Sequence, residues 1–402
     1  MTATPPTSEH SVSLLDHNLN QYFDELLKFN SIEETQKSAV YQKIKPTVER
    51  ILKAVVCEAF SETLDSRLST PDSVSSVAWN IERGCVFEGI LDALKNHDDL
   101  KEKDLYLLTE LDYGMARSGN RFVAQELAKK LRLNYAFAPV YIALQKGSGV
   151  EAMMEGENTT SIHGLAMFSK YPLKNVHAVD LPNGKDKMWG KEKRLGYLRA
   201  LVADIEHPAG YLRAVTMHLD AHCSRQHRQK QLQIILDHLE TLPELPTIIG
   251  GDWNTSTFNS QTSTHAIFGY WWRVCITGIR NTARNHFPHP DRHFERPMFA
   301  HLESRGWEYK SFNEYGIGTL HYDMDSIEKN TNLRDWVPAW CFPFIFWAAK
   351  QVGGKVSVRL DWFTGKGIEM IGKPKTVGNL KNEQGVPLSD HDAISLCFKS
   401  KK

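Results

Sequence analysis

Four short signatures rich in carboxylate, amide and imidazole groups occur in a fixed order along this 402-residue chain. They are Ala78-Trp79-Asn80-Ile81-Glu82, Leu107-Leu108-Thr109-Glu110, Gly250-Gly251-Asp252-Trp253-Asn254 and Ser389-Asp390-His391. His218-Leu219-Asp220 and Asp361-Trp362 add a histidine and two more carboxylates. This is the donor set that hydrolysis of a phosphate ester calls for. A hard dication needs carboxylate ligands, a water must be oriented and deprotonated, and charge developing on phosphorus needs donors in place beforehand.

Each signature follows or borders a short apolar run bounded by turn residues, as strands are. Such runs are expected at Val74–Ile81, Asp104–Thr109, Tyr135–Val140, Gly164–Phe168, Leu198–Ile205, Tyr211–Met217, Thr247–Ile249, Val356–Phe363 and Ala393–Phe398. Strand alternation places Asn80 with Glu82, His218 with Asp220, and Asp252 with Asn254 on common faces. Helical stripes lie between some strands: Phe87, Ile90, Leu91 and Leu94, then Leu232, Ile235, Leu236 and Leu239, which Ser224 is placed to cap. Strands interleaved with helices, some joined by short turns, indicate a mixed α/β sheet protein covered by helices.

The chain divides at about residue 72. Residues 1–72 read as a disordered tail followed by a helical extension, with apolar spacing at Leu19, Tyr22, Phe23 and Leu26 and again from Ile44 to Val55. Residues 73–402 read as the main domain, interrupted at about 255–350 by an aromatic-rich insertion.

The 48 basic and 48 acidic side chains cancel, which counts against a strongly basic nucleic-acid binder. Six scattered cysteines lack any zinc-type or CxxC spacing and fit free thiols in a reducing compartment, so a cytoplasmic location is expected. The most apolar stretch, 336–349, is too short and too broken by proline to span a bilayer.

Together the motifs resemble the endonuclease/exonuclease/phosphatase superfamily, which includes deoxyribonucleases, abasic-site endonucleases, neutral sphingomyelinases and inositol-polyphosphate 5-phosphatases. The resemblance covers roughly residues 74–399. It implies a four-layer α/β sandwich of two mixed sheets with helices outside, and a hydrolase that uses Mg²⁺, or Mn²⁺ in its place. Glu110 matches the principal metal ligand of the family, Glu82 an auxiliary metal carboxylate, and Asp390 a further contact to the metal or its water shell. Asp252 matches the group that activates water, with Asn80 and Asn254 as hydrogen-bond donors. His391 matches the donor to the phosphoryl oxygen, Asp361 the carboxylate that holds its ring, and His218 the second histidine of the deoxyribonuclease and sphingomyelinase branches.

The substrate stays open at this stage among a nucleic acid, a phospholipid headgroup and a small phosphate ester. A member that has lost catalysis and serves as a scaffold is disfavoured, because none of the central set is missing. Arg194, Arg199, Arg225 and Arg228 are candidates for a phosphate-binding rim, although Arg225 and Arg228 also suit the exposed side of a helix. His286, His289 and His293 are candidates for a second metal. Trp336, Trp340 and Phe342 suit extra core, a peripheral membrane contact or a base-stacking platform.

Overall fold

The fold is taken from a computed structural model, which describes residues 10–61, 72–149, 151–256, 259, 261–323 and 342–401. In chain order the strands are β1 (Val56–Glu58), β2 (Ser73–Arg83), β3 (Leu105–Tyr113), β4 (Asn134–Ala143), β5 (Ile162–Ser169), β6 (Leu173–Asp180), β7 (Arg194–Gly196) and β8 (Arg199–His207). They continue with β9 (Gly210–His218), β10 (Thr247–Asp252), β11 (Leu320–Asp323), β12 (Lys355–Val358), β13 (Asp361–Lys366), β14 (Ile368–Val377) and β15 (Ala393–Ser400). The longer helices are α1 (Ala39–Lys53), α2 (Phe87–Asn96), α3 (Val123–Leu131), α4 (Arg225–Glu240), α5 (Ser263–Thr277), α6 (Arg296–Ser304) and α7 (Phe342–Lys350).

One sheet runs β1-β4-β5-β3-β2-β15-β14, with β7 also on β4, and the other runs β13-β10-β9-β8-β6. They face one another with helices outside, a four-layer α/β sandwich. The side-chain period of two sorts β2 between two apolar layers. Ala78 joins the layer between the sheets, while Val77, Trp79 and Ile81 join the outer layer under α1, α2 and α3. Gly250 marks a close approach of the sheets, since a Cβ there would meet Leu107 of the facing sheet at 2.8 Å.

Each large sheet contains one parallel pair, β2 with β3 and β9 with β10, and the other described pairings within the two sheets are antiparallel. A parallel pair requires a crossover, supplied by α2 and α4. As a consequence Asn80, Glu110, His218 and Asp252 all arrive at C-terminal strand ends. β13 and β15 run antiparallel to these pairs, so Asp361 and the Asp390-His391 turn enter at the same edge. Six distant stretches of sequence converge for that topological reason.

Residues 10–61 pack Leu15, Leu19, Phe23, Ile44, Val48 and Ile51 into the outer layer, and β1 extends the first sheet beside β4. Residues 1–9, expected to be a disordered tail, lie outside the described residues. Within 255–350 the described elements are mainly α5, α6, β11 and α7. Trp336 and Trp340 lie outside the described residues, and of Phe342 only the backbone is described.

Two expectations need correction. The single strand expected at Val356–Phe363 is two, β12 paired with β11 and β13 paired with β10, because the chain leaves one sheet for another at Arg359-Leu360. Arg228 is not on an exposed helix face. It is fully buried and ion-paired with Glu295 at 2.7 Å, while its Nη1 donates to the Asp220 carbonyl at 3.1 Å. Ser224 does cap α4, accepting from the His227 N–H at 3.3 Å.

The Arg228–Glu295 pair ties α4 to α6, and Glu295 also accepts from the Ser256 N–H at 3.1 Å. Removing one member strands a buried charge. Arg228→Met is expected to lower stability by about 3–5 kcal/mol in urea unfolding, and Arg228→Met/Glu295→Leu to recover much of that loss. Equal stability of Arg228→Met and wild type would show that Glu295 finds another partner.

Candidate active site

Asp252 is the hub at the shared edge. It ends β10 in register with His218 of β9 on one side and Asp361 of β13 on the other. The Asn254 N–H donates to its Oδ1 at 2.8 Å. The side-chain amides of Asn80 and Asn254 donate to its Oδ2 at 3.1 and 3.2 Å. The same oxygen lies 3.5 Å from His218 Nε2 and 3.8 Å from His391 Nε2. Its approach to β9 depends on Gly251, whose φ is +137° and where a Cβ would sit 2.1 Å from the Met217 carbonyl oxygen.

Asn80 links both sheets. Its amide donates to Glu110 Oε1 as well as to Asp252, both at 3.1 Å, and its Oδ1 accepts from the Glu82 N–H at 3.1 Å. The regular strand alternation expected for Asn80 and Glu82 does not extend that far. The β2–β3 register slips between Asn80 and Arg83, and the β3–β5 register slips between Leu108 and Leu111. Glu82, Arg83 and Glu110 take φ values of 44°, 66° and 56°, and Asn254 takes 47°. A left-handed backbone costs a non-glycine residue of order 1 kcal/mol or more, least for asparagine. The bulges re-aim the two glutamates off the ladder and into the cavity.

Glu82, Glu110, Asp252, Asp390 and His391 line one cavity of about 240 Å³. The Asp390 N–H donates to Glu82 Oε2 at 3.1 Å. Burial and the neighbouring Asp390 carboxylate push Glu82 up to about 7, and burial likewise raises Asp390. Burial acts the same way on Glu110, but Arg83 and the site histidines outweigh it and hold its carboxyl well below the usual range. Arg83 lies 3.9 Å from Glu110 and 2.7 Å from Glu151.

His391 Nδ1 faces Asp361 Oδ2 at 2.8 Å, leaving Nε2 toward the cavity. Burial alone would depress this imidazole. The carboxylates of Asp361, Asp252 and Asp390 prevail and raise it well above its ordinary value. Ser389 fixes the turn by donating to the Asn80 carbonyl at 2.7 Å and accepting from the His391 N–H at 3.0 Å. The Trp79 indole donates to the His391 carbonyl at 2.9 Å.

All nine residues singled out from the sequence for chemistry therefore meet at one edge. Others on the cavity wall carry no motif of their own: Arg83, Tyr141, His163, Lys187 and His222. His163 Nδ1 faces Asp112 at 2.8 Å, and burial followed by Lys187 brings His222 down to about 4. Asp220 lines the cavity with His218, accepts from the Gly184 and His222 N–H groups at 2.7 and 2.9 Å and lies 3.3 Å from Lys187. Of the four rim arginines only Arg194 lines this cavity. Arg199 is buried against the Ala54 carbonyl at 2.8 Å, Arg228 is in its ion pair, and Arg225 lies over Phe294.

Do these residues suit a hard dication? Ligand atoms of Glu110, His218 and Asp252 lie within 4.8 Å of one another, as do those of Asp252, Asp361 and His391. His286, His289 and His293 form no such group among the described residues. The second trio is largely committed, because His391 Nδ1 is taken up by Asp361. Glu82 and Asp390 line the same cavity as Glu110 without forming such a group with it, and repulsion among these carboxylates contributes to the raised values of Glu82 and Asp390. Carboxylate crowding of this kind is what a divalent cation relieves.

Two facing mixed sheets with a carboxylate and imidazole cluster at one edge define a phosphoesterase sandwich. The sequence matches the Endonuclease/Exonuclease/phosphatase family over residues 77–356, and the chain belongs to that family. It is thus a hydrolase of phosphate esters whose site can hold a metal ion.

Among solved structures it is similar to an endonuclease/exonuclease/phosphatase protein from Beutenbergia cavernae, with TM-score 0.47, 14% identity, and coverage of 82% of this chain and 72% of that one. It is also similar to the human Nocturnin catalytic domain with bound sulfate (0.44, 14%, 83% and 96%). D. rerio TDP2 complexed with a single-strand DNA product is a third (0.45, 14%, 82% and 100%). No curated protein sequence matches. No helix among the described residues is long and apolar enough to cross a membrane.

Proposed function

We propose that the protein is an Mg²⁺-dependent phosphodiesterase, able to use Mn²⁺, that cleaves its substrate by in-line attack of water without a covalent intermediate. The observation that carries this reading is the placement of Asp252 between two amide donors and two imidazoles, beside the crowded carboxylates of Glu82, Glu110 and Asp390. Glu110, with Glu82 and Asp390, would hold the cation, which supplies charge neutralisation at the phosphoryl oxygens. Asp252 takes the proton of the attacking water, and Asn80 and Asn254 fix the orientation of its carboxylate. His391 donates through Nε2 to a non-bridging oxygen, while Asp361 holds the ring by Nδ1. His218 stands on the other side of Asp252, where it stabilises the phosphate or the departing oxygen. A cytoplasmic location belongs to the same reading and rests on the cysteine spacing.

A nuclease-like substrate and a lipid or small-molecule ester share this chemistry. The two imidazoles around Asp252 favour a diester. With Mg²⁺, bis-p-nitrophenyl phosphate is expected to turn over at least about tenfold faster than p-nitrophenyl phosphate, an effect on the scale of one well-placed donor. Preference for the monoester would remove the diesterase assignment. Plasmid DNA, RNA, sphingomyelin and inositol phosphates then rank the natural substrate classes.

The raised pKa of His391 fixes the sign of one pH effect. The imidazolium persists through neutral pH, so His391-dependent activity is lost only as pH climbs through that raised value. Asp361→Asn removes its nearest carboxylate. The alkaline limb of kcat/KM is expected to move toward acid by about 1–3 pH units. An unmoved limb would assign that limb to another group.

A further inference from the structure

We infer that α5 docks the enzyme on the surface of an anionic phospholipid bilayer, with the catalytic cavity close to the lipid headgroups. Such docking is independent of which ester is cleaved. Phe268, Trp272 and Ile276 recur at intervals of four on α5, so they share one face, and they are 72%, 71% and 63% exposed. Large apolar side chains aligned in solvent mark an interaction site rather than chance exposure. They border an open groove of about 820 Å³ that also takes in Arg225, Arg273 and Phe294.

Charge identifies the occupant. From Trp253 to Pro290 the sequence contains no aspartate or glutamate and three arginines, Arg273, Arg280 and Arg284. Arg280 and Arg284 are exposed just beyond α5. The guanidinium groups of Arg225 and Arg273 lie over Phe294 at 5.1 and 5.6 Å. A chain of zero formal net charge thus carries an acid-free, arginine-bearing stretch along a helix with exposed aromatic side chains. Apolar residues flanked by arginine suit an interfacial helix on anionic lipid. A base-stacking platform is less well served, since the stripe ends on Ile276, which offers no π face.

Chain continuity places the patch beside the site. His222 lines the catalytic cavity and Arg225, three residues on, lines the aromatic groove. α5 itself begins at Ser263, nine residues after Asn254 at the catalytic end of β10. Docking through α5 would bring that end of the sandwich to the headgroup layer.

The test is co-sedimentation of the full chain with vesicles of phosphatidylcholine alone or mixed about 7:3 with phosphatidylserine. Wild type is expected to sediment with the mixed vesicles, and high salt to weaken the binding. Phe268→Ser/Trp272→Ser and Arg280→Glu/Arg284→Glu should each lose at least about tenfold in affinity. Circular dichroism shows that the variants are folded, and hydrolysis of bis-p-nitrophenyl phosphate should be unchanged in both. That soluble assay separates failure of docking from failure of the catalytic reading. Absence of wild-type sedimentation, or equal sedimentation of wild type and both variants, would overturn the inference. So would binding to an oligothymidylate that both variants lose while vesicles are ignored, which would assign the patch to a nucleic acid.

Discussion

Asp252→Asn is expected to reduce kcat by about 10³–10⁴-fold with little change in fold, an amount at the upper end of what a positioned general base contributes. The substitution is isosteric and leaves an oxygen to accept from the Asn254 N–H, which holds Oδ1 at 2.8 Å. At Oδ2 the consequences differ. Two amide donors, from Asn80 and Asn254, point there, and both site histidines approach the same atom. An amide nitrogen in that place cannot accept from them or take a proton from water. Stopped-flow or single-turnover hydrolysis of bis-p-nitrophenyl phosphate reads the loss, with the melting temperature as a fold control. A fall of less than tenfold would mean that another group activates the water.

The second large effect concerns Glu110. Glu110→Gln keeps the side-chain shape but removes the charge that Arg83 and the imidazoles stabilise. Substitution of groups that merely support a metal ligand already costs 10–100-fold in metal affinity. The concentration of Mg²⁺ giving half-maximal rate is therefore expected to rise at least about 100-fold, with the rate at saturating metal reduced much less. The control is Glu151→Gln, which also faces Arg83 but lies across it from Glu110. A similar shift in both variants would assign the effect to Arg83 rather than to Glu110. Unchanged metal dependence in Glu110→Gln would place the cation elsewhere.

Much of this centre is legible in the sequence. Asn80, Asp252 and His218 sit at the ends of strands whose inner neighbours are apolar, and period-two patterning locates such ends well. Topology supplied what patterning could not: only the parallel pairs β2–β3 and β9–β10 explain why these ends share an edge. Glu82 and Glu110 do reach the cavity, but their orientation comes from bulges and left-handed backbone that no residue type announces.

Lys187 and His222 were not singled out because their segments carry no periodic pattern, and their approach to the cavity depends on long-range contacts such as Asp220 with Gly184 and Lys187. β14 escaped for a different reason. It is an edge strand with exposed Glu369, Ile371 and Lys373, so burial imposes no alternation on it. Arg228 was misplaced because a buried ion pair reads as surface charge until its partner, far along the chain at Glu295, is known.

Anomalous diffraction from crystals soaked in Mn²⁺ addresses the metal centre without reference to any substrate. A single strong peak among the carboxylates of Glu82, Glu110 and Asp390, absent in Glu110→Gln, is the predicted result. A peak held instead by His391 and Asp361, or a fully active enzyme whose crystals show none in this cavity, would contradict it.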